Sequence, residues 1–174
     1  GGGGGGNAFN ETLVTGSPHA LIKSADAYAR GATGAGIKIA VVDTGLDSSP
    51  QIDDAEFSGR VAAGQYDYAD NDSRANDGDG HGTHVAGIIV ANKNGSGMHG
   101  VAYGARVIPL RVFDDGGNWQ ATDYELYKLQ WQAISYYGAS VFNHSWGIKD
   151  SQVTEWTAGL FGSWYPWELD GYQA

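Results

Sequence analysis

Two short segments carry side chains whose types and order suit proton-transfer chemistry. Asp43 directly follows the apolar run 37–42, and His81 opens the segment 81–87, which reads HGTHVAG. A carboxylate can orient an imidazole and stabilise its protonated form. An imidazole held in this way can act as the general base that takes a proton from a nucleophile. The sequence therefore predicts an activated nucleophile served by Asp43 and His81.

Each of these residues also has a plainer interpretation. Asp43 could cap a turn, and His81 could be a packed core histidine. The tripeptide Asp-Thr-Gly at 43–45 also marks aspartic proteases, in which two aspartates share one proton. It occurs once in this sequence, and that chemistry does not use the histidine segment. His84 follows His81 by one helical turn, and we expect it to be packed or hydrogen-bonded rather than to be the base.

Helix and strand signals alternate along the rest of the chain. Ser17 and Pro18 predict the start of a helix, and the β-branched run 37–42 is typical of a strand buried on both faces. The later signals are a weak strand at 60–66, an acidic loop at 67–80, a helix at 81–92, a strand at 105–113, a helix opened by the capping box Thr122 to Glu125, and a strand at 139–143. Alternation of this kind predicts an α/β fold with a mostly parallel central sheet. In such sheets ligands bind beyond the carboxyl ends of the strands.

The two chemical segments, with their surroundings, resemble the subtilase family of serine proteases, peptidase family S8. Residues 43–45 and 81–87 look like the aspartate and histidine motifs of that family. Residues 97–105 and 141–147 resemble two further segments of its catalytic domain. The resemblance covers roughly residues 18–148. It implies a three-layer subtilisin-like fold and serine endopeptidase activity on polypeptide substrates.

The resemblance also implies roles for particular residues. Asp43 would be the acid and His81 the base of an Asp-His-Ser triad. Ser145, Trp146 and Gly147 would line one wall of the substrate cleft, where the substrate backbone pairs as an added strand. Trp146 would shape that cleft.

The nucleophile motif of the family, which is similar to Gly-Thr-Ser-Met-Ala, does not occur in the sequence. We therefore expect the serine to lie beyond Ala174, with 17–174 as the N-terminal portion of a catalytic domain that is incomplete at its C-terminus. We expect this portion to be inactive by itself. Two alternatives stay open: a non-catalytic binding module with the subtilase fold, and an aspartic protease that uses Asp43.

Composition narrows the partners and the location. The chain has 20 acidic and 10 basic residues and a net charge of −10, which disfavours nucleic acid because phosphate binding needs a basic surface. No apolar run is long enough to span a membrane. We also expect the protein to be a monomer. The six glycines at the start predict a flexible linker over 1–16. That glycine run is similar to the subtilase passenger domains of bacterial autotransporters, which implies a secreted or cell-surface protein.

Metal binding is not expected. The absence of cysteine excludes disulfides and cysteine-ligated zinc. The scattered histidines His19, His99 and His144 lack metal-ligand spacing and are interpreted as structural. The aspartates of the acidic loop are interpreted as solvated rather than as a cation site. Some subtilases bind structural calcium, and the loop 92–97 resembles one calcium loop in placement. Gln51, however, stands near the position where the family supplies an acidic ligand.

Overall fold

Parallel pairing dominates the computed structural model of the chain, which describes residues 17–47, 54–95 and 97–147. Within these ranges one sheet of four strands has the order β2-β3-β1-β4. The strands are β1 (Lys38–Asp43), β2 (Tyr66–Asp67), β3 (Arg106–Arg111) and β4 (Val141–Asn143). Each neighbouring pair is parallel. The predicted α/β class with a mostly parallel sheet is confirmed.

The described helices are α1 (Pro18–Leu21), α2 (Ser24–Tyr28), α3 (Asp54–Phe57), α4 (His81–Val90) and α5 (Asp123–Ser135). The helix predicted to start at Ser17 and Pro18 is divided into α1 and α2. Ser17 does cap α1 by accepting from the N–H of Ala20, but Lys23 then adopts φ 56, a left-handed conformation that divides the segment in two. Helix α5 begins with the predicted capping box, in which Thr122 and Glu125 bond reciprocally.

The sheet has helices on both faces, so the fold has three layers. On one face α5 buries Leu129 and Ala133 against the cluster that contains Val42 of β1. On the other face α4 buries Val85, Ala86 and Val90 against the cluster that contains Val41. Neighbouring side chains of β1 therefore enter opposite cores, which explains why its sequence is continuously apolar.

The structure corrects the prediction for residues 60–80. The predicted strand at 60–66 is reduced to a bridge at Val61 and the two residues of β2. The acidic loop is not uniformly solvated, because Asp67 is 1% exposed and Asp77 is 8% exposed. Both side chains are buried because each one binds donors from other parts of the fold.

Several sequence predictions fall outside the described residues. They concern the linker over 1–16, Gln51 and the stretch from 148 to Ala174. In the part of the chain that the structure describes, no helix is long and apolar enough to cross a membrane.

Candidate active site

The polar ends of the strands meet at the carboxyl edge of the sheet. Asp43, the last residue of β1, is in register with Arg111, the last residue of β3. Asp67 ends β2 beside the same arginine. Asn143 ends β4 opposite Val41, two residues before the end of β1. Parallel pairing therefore collects these groups at one edge, where α/β proteins place their ligands.

Asp43 and His81 are in direct contact at this edge. The imidazole Nδ1 of His81 lies 2.7 Å from Oδ1 of Asp43. The same Oδ1 accepts from the N–H of Thr44 at 2.8 Å. Asp43 is 1% exposed, whereas the side chain of His81 is 50% exposed. The carboxylate is thus a buried support for an imidazole that solvent or a second reactant can reach.

The contact also determines the proton positions on the imidazole. An ionised carboxylate can only accept, so Nδ1 of His81 carries a proton and donates it to Asp43. In the neutral ring the other nitrogen, Nε2, is then unprotonated and able to act as a base. The hydrogen bond that His81 donates to Asp43 raises the pKa of His81 above its ordinary value, against the effect of burial, and the charges of Asp79 and Asp77 add to the rise. The site therefore favours an imidazole that accepts a proton at Nε2.

Close packing brings the two elements together. Gly82 follows His81, and a Cβ at this position would lie 2.3 Å from the carbonyl oxygen of Gly45. No side chain fits there, so the first turn of α4 lies directly on the turn that follows Asp43. Gly82 is therefore required by the contact between α4 and the turn that follows β1.

The residues predicted to line a substrate cleft follow β4. Ser145 and Gly147 are exposed, and the Oγ of Ser145 accepts from the side-chain amide of Asn143 at 2.9 Å. The indole N–H of Trp146 donates to the carbonyl oxygen of Val42 at 2.8 Å. Val42 immediately precedes Asp43, so this segment is anchored beside the carboxylate.

The indole of Trp146 belongs to an aromatic cluster. Its ring centroid lies 5.5 Å from that of Phe113, 5.1 Å from that of Trp119 and 5.3 Å from that of His144. Phe113 and Trp119 are themselves joined edge to face at 5.1 Å. Aromatic pairs prefer such geometries, so a packed aromatic cluster lies next to Val42.

The sequence analysis did not identify two buried polar residues near the site, Asp77 and Arg111. Asp77 accepts from both the hydroxyl and the N–H of Thr83. Burial raises the pKa of Asp77, but the hydrogen bonds from Thr83, Gly80 and Thr44 outweigh that effect and hold the pKa below its ordinary value. A local signal did exist in the sequence, because Asp77 lies one helical turn before the start of α4. It was not recognised because the loop contains many aspartates, all of which were interpreted as solvated.

Three other histidines, His84, His19 and His99, differ in burial. His84 is exposed on α4 rather than packed. The expectation that it is not the base stays a prediction. His19 and His99 are buried, and Nε2 of His19 lies 2.7 Å from the carbonyl oxygen of His99. The two rings, 4.2 Å apart between centroids, link α1 to the loop before β3. This arrangement is consistent with a packing role.

The loop 92–97, which resembles a calcium loop in placement, uses its asparagines for hydrogen bonds within the protein. The side-chain amide of Asn92 donates to the carbonyl oxygens of Ala55 and Ser58, and that of Asn94 donates to Glu56. Among residues 17–47, 54–95 and 97–147, no group of three or more acidic or histidine side chains is arranged to hold a metal ion. The expectation that the chain binds no metal stays a prediction.

Comparison with known proteins finds that the chain is similar to serine proteases. Residues 34–167 match the Subtilase family. Over 125 residues the chain is 42% identical to fervidolysin of Fervidobacterium pennivorans, which covers 67% of this chain and 17% of fervidolysin. It is 41% identical over 126 residues to an extracellular serine protease of Serratia marcescens, covering 70% of this chain and 10% of that protein.

The fold of the chain is also similar to that of a solved serine proteinase. The crystal structure of a cold adapted subtilisin-like serine proteinase aligns with a TM-score of 0.52 at 32% identity, covering 73% of this chain and 43% of the other. The chain thus spans less than half the length of each of these relatives.

Proposed function

The chain belongs to the subtilase family, and on this premise we propose that the protein of which it forms part is a serine endopeptidase. The observation that supports the proposal is the 2.7 Å contact between Nδ1 of His81 and Oδ1 of Asp43. The buried carboxylate, the half-exposed imidazole and the raised pKa of His81 are the properties that a general base and its orienting acid require. The nucleophile in this proposal is a serine outside residues 1–174.

The proposed reaction is acyl transfer. The serine oxygen attacks the carbonyl carbon of the scissile peptide while Nε2 of His81 takes the hydroxyl proton. Asp43 keeps the proton on Nδ1 and stabilises the imidazolium that forms. His81 then gives its Nε2 proton to the leaving amine, and water hydrolyses the acyl-enzyme with His81 again as the base. Both proton transfers require the same ring orientation, which the contact with Asp43 supplies.

The proposed substrate is an extended polypeptide. Ser145 and Gly147 are exposed next to β4 and would present their backbone groups to the substrate as an added strand. The ring of Trp146, fixed by Phe113 and Trp119, would form the apolar wall of that cleft. We expect substrate side chains at this wall to be apolar.

We further propose that the protein is secreted or displayed on a bacterial surface and acts as a monomer. A relative named as an extracellular serine protease supports export. The net charge of −10 favours solubility and disfavours nucleic-acid partners. The autotransporter type remains a prediction from the glycine run.

An aspartic protease built around Asp43 fits the geometry less well. Such an enzyme places two carboxylates together so that they share a proton. The carboxylate of Asp43 instead binds an imidazole and a backbone N–H. This arrangement favours the serine mechanism.

The test is covalent labelling of the full-length protein with a fluorophosphonate probe. We expect labelling in the parent protein and a loss of roughly 10⁴-fold or more in its rate in His81→Ala, because the nucleophile would lose its base. His84→Ala is the matched control, since His84 lies one turn further along α4 and is exposed; it should label at close to the parent rate.

Two results would contradict the proposal. A folded full-length protein that is not labelled would indicate a non-catalytic binding module. Peptidase activity that resists the fluorophosphonate but is inhibited by pepstatin would indicate an aspartic protease.

A further inference from the structure

Helix α4 begins without a capping side chain at the usual position. The residue before the helix is Gly80, which has φ 99 and makes no side-chain cap. Asp77 supplies the missing acceptor from three residues upstream. Its Oδ2 accepts from the N–H of Thr83 at 2.8 Å, and its Oδ1 accepts from the N–H of Gly80 at 2.8 Å. One buried carboxylate therefore satisfies the N–H of Thr83, in the first turn of the helix that carries His81.

The same carboxylate is joined to the turn after β1 through two threonine hydroxyls. The hydroxyl of Thr44 donates to Oδ1 of Asp77 at 2.8 Å and accepts from the N–H of Gly82 at 2.8 Å. The hydroxyl of Thr83 donates to Oδ2 at 2.5 Å and accepts from the N–H of Asp47 at 2.8 Å. Each hydroxyl gives its one proton to Asp77 and offers a lone pair to the opposite element. Two reciprocal links therefore connect α4 with the turn after β1.

These links adjoin the reactive pair on both sides. Thr44 follows Asp43, and its backbone N–H binds Oδ1 of that residue. Gly82 follows His81 and packs on Gly45 too closely for a side chain. A shift of α4 relative to the turn would therefore change the 2.7 Å contact between the imidazole and the carboxylate.

We propose that Asp77 is a positioning residue, which acts through Thr44 and Thr83 to fix His81 against Asp43. The groups that face its carboxylate are all donors: two hydroxyls and the N–H groups of Asp79, Gly80 and Thr83. An amide in its place must turn an NH₂ group towards some of those donors, so at least one of the links breaks. The importance of this contact for catalysis rests on the proposed function, whereas the contact itself does not.

The test measures the contact in the full-length protein, labelled with ¹⁵N-histidine, without substrate. The readout is the exchange rate of the Nδ1 proton of His81 with water. In Asp77→Asn we expect exchange to accelerate about tenfold, the factor that corresponds to roughly one lost hydrogen bond. An unchanged rate in the folded variant would mean that Asp77 is only a helix cap, and the proposal would be wrong.

Asp79→Asn is the matched control for charge. Its carboxylate also contributes to the raised pKa of His81, and its Oδ1 accepts from the N–H of His81 at 3.1 Å. An asparagine oxygen can still accept that bond, so this variant removes a neighbouring charge and leaves both threonine links. We expect its Nδ1 exchange rate to stay close to that of the parent chain. Acceleration equal to that of Asp77→Asn would overturn the proposal, because charge alone would then explain the effect.

Thr83→Val provides a second variant if Asp77→Asn does not fold. It removes both bonds of one hydroxyl while the charge of Asp77 remains. We expect faster Nδ1 exchange in Thr83→Val and the parent rate in Thr83→Ser, which restores the hydroxyl. Equal rates in valine and serine variants would refute the positioning role. Failure of the full-length protein to label would refute the proposed function and would leave these rates unaffected.

Discussion

At the scale of single residues, the contact between Asp43 and His81 couples protonation to folding. The carboxylate raises the pKa of His81 above its ordinary value. A group whose pKa is higher in the folded state than in the unfolded state stabilises the fold when it is protonated. The contribution of His81 is therefore fully present below the unfolded pKa of about 6.5, and it is lost as pH rises through the folded pKa.

Replacing Asp43 by asparagine should lower the pKa of His81. The side-chain oxygen of asparagine can still accept from Nδ1, but the negative charge is gone, so the imidazolium loses its main support. A ¹H NMR titration of the His81 ring in the two chains measures the change. Asp26→Asn, at an exposed position on α2, is the control and should leave the titration unchanged. An unaltered pKa of His81 in Asp43→Asn would show that the contact does not form in solution.

Among helices and strands, the sequence predicts the features that depend on residues close together in the chain. The apolar run of β1 and the capping box of α5 depend on neighbours in sequence, and both predictions are confirmed. The burial of Asp77 depends on a bond to Thr44, 33 residues away, and that of Asp67 on a bond to Arg111, 44 residues away. Composition shows only that the loop is acidic. The position of Asp77 before α4 indicates a cap, but the burial of the two aspartates could not be predicted without knowing which elements pack together.

Helix α5 was predicted correctly, but its buried face was not predictable from its sequence. Its periodic aromatic stripe predicts a helix, and the helix is present. The stripe is nevertheless exposed, with Tyr124 at 71% and Tyr127 at 67%, while the packed face consists of Leu129 and Ala133. Periodicity identifies the element, but tertiary contacts decide which face enters the core.

The capping box of α5 should contribute measurably to the stability of the chain. Thr122→Ala removes the acceptor for the N–H of Glu125 and the donor to its carboxylate. The loss should lower the free energy of unfolding by about 1 kcal/mol, as for other cap deletions. Urea unfolding of the chain measures it, with Thr122→Ser as the matched control that keeps the hydroxyl. If alanine and serine variants unfold at the same urea concentration, the box does not contribute to stability.

At the scale of the whole molecule, Arg111 joins segments that are far apart in sequence. Its side chain is 5% exposed, and its Nη1 lies 2.8 Å from Asp67 and 2.8 Å from Asp70. Its Nη2 lies 2.8 Å from Asp115 in the loop after β3. These hydrogen bonds raise the pKa of Arg111 despite its burial. The guanidinium thus ties β2, the acidic loop and the loop after β3 to the carboxyl edge of the sheet, beside Asp43.

The carboxylates around Arg111 differ in what their loss should cost. Asp67 is 1% exposed, whereas the side chains of Asp70 and Asp115 are 71% and 62% exposed. Exposed ion pairs contribute about 0–1 kcal/mol, so Asp70→Asn and Asp115→Asn should change the free energy of unfolding little. Removing the guanidinium leaves Asp67 buried without its cation, and breaking a buried pair in this way costs about 3–5 kcal/mol.

Arg111→Met should therefore destabilise the chain far more than either exposed substitution, by about 3–5 kcal/mol in urea unfolding. The cost arises from the stranded charge of Asp67 rather than from lost packing, since methionine fills much of the same space. Arg111→Met combined with Asp67→Asn should then recover a large part of the loss, which gives a coupling free energy between the two positions. If the double variant is as unstable as the sum of the two single variants, the pair is not coupled. The carboxyl edge would then depend on packing alone.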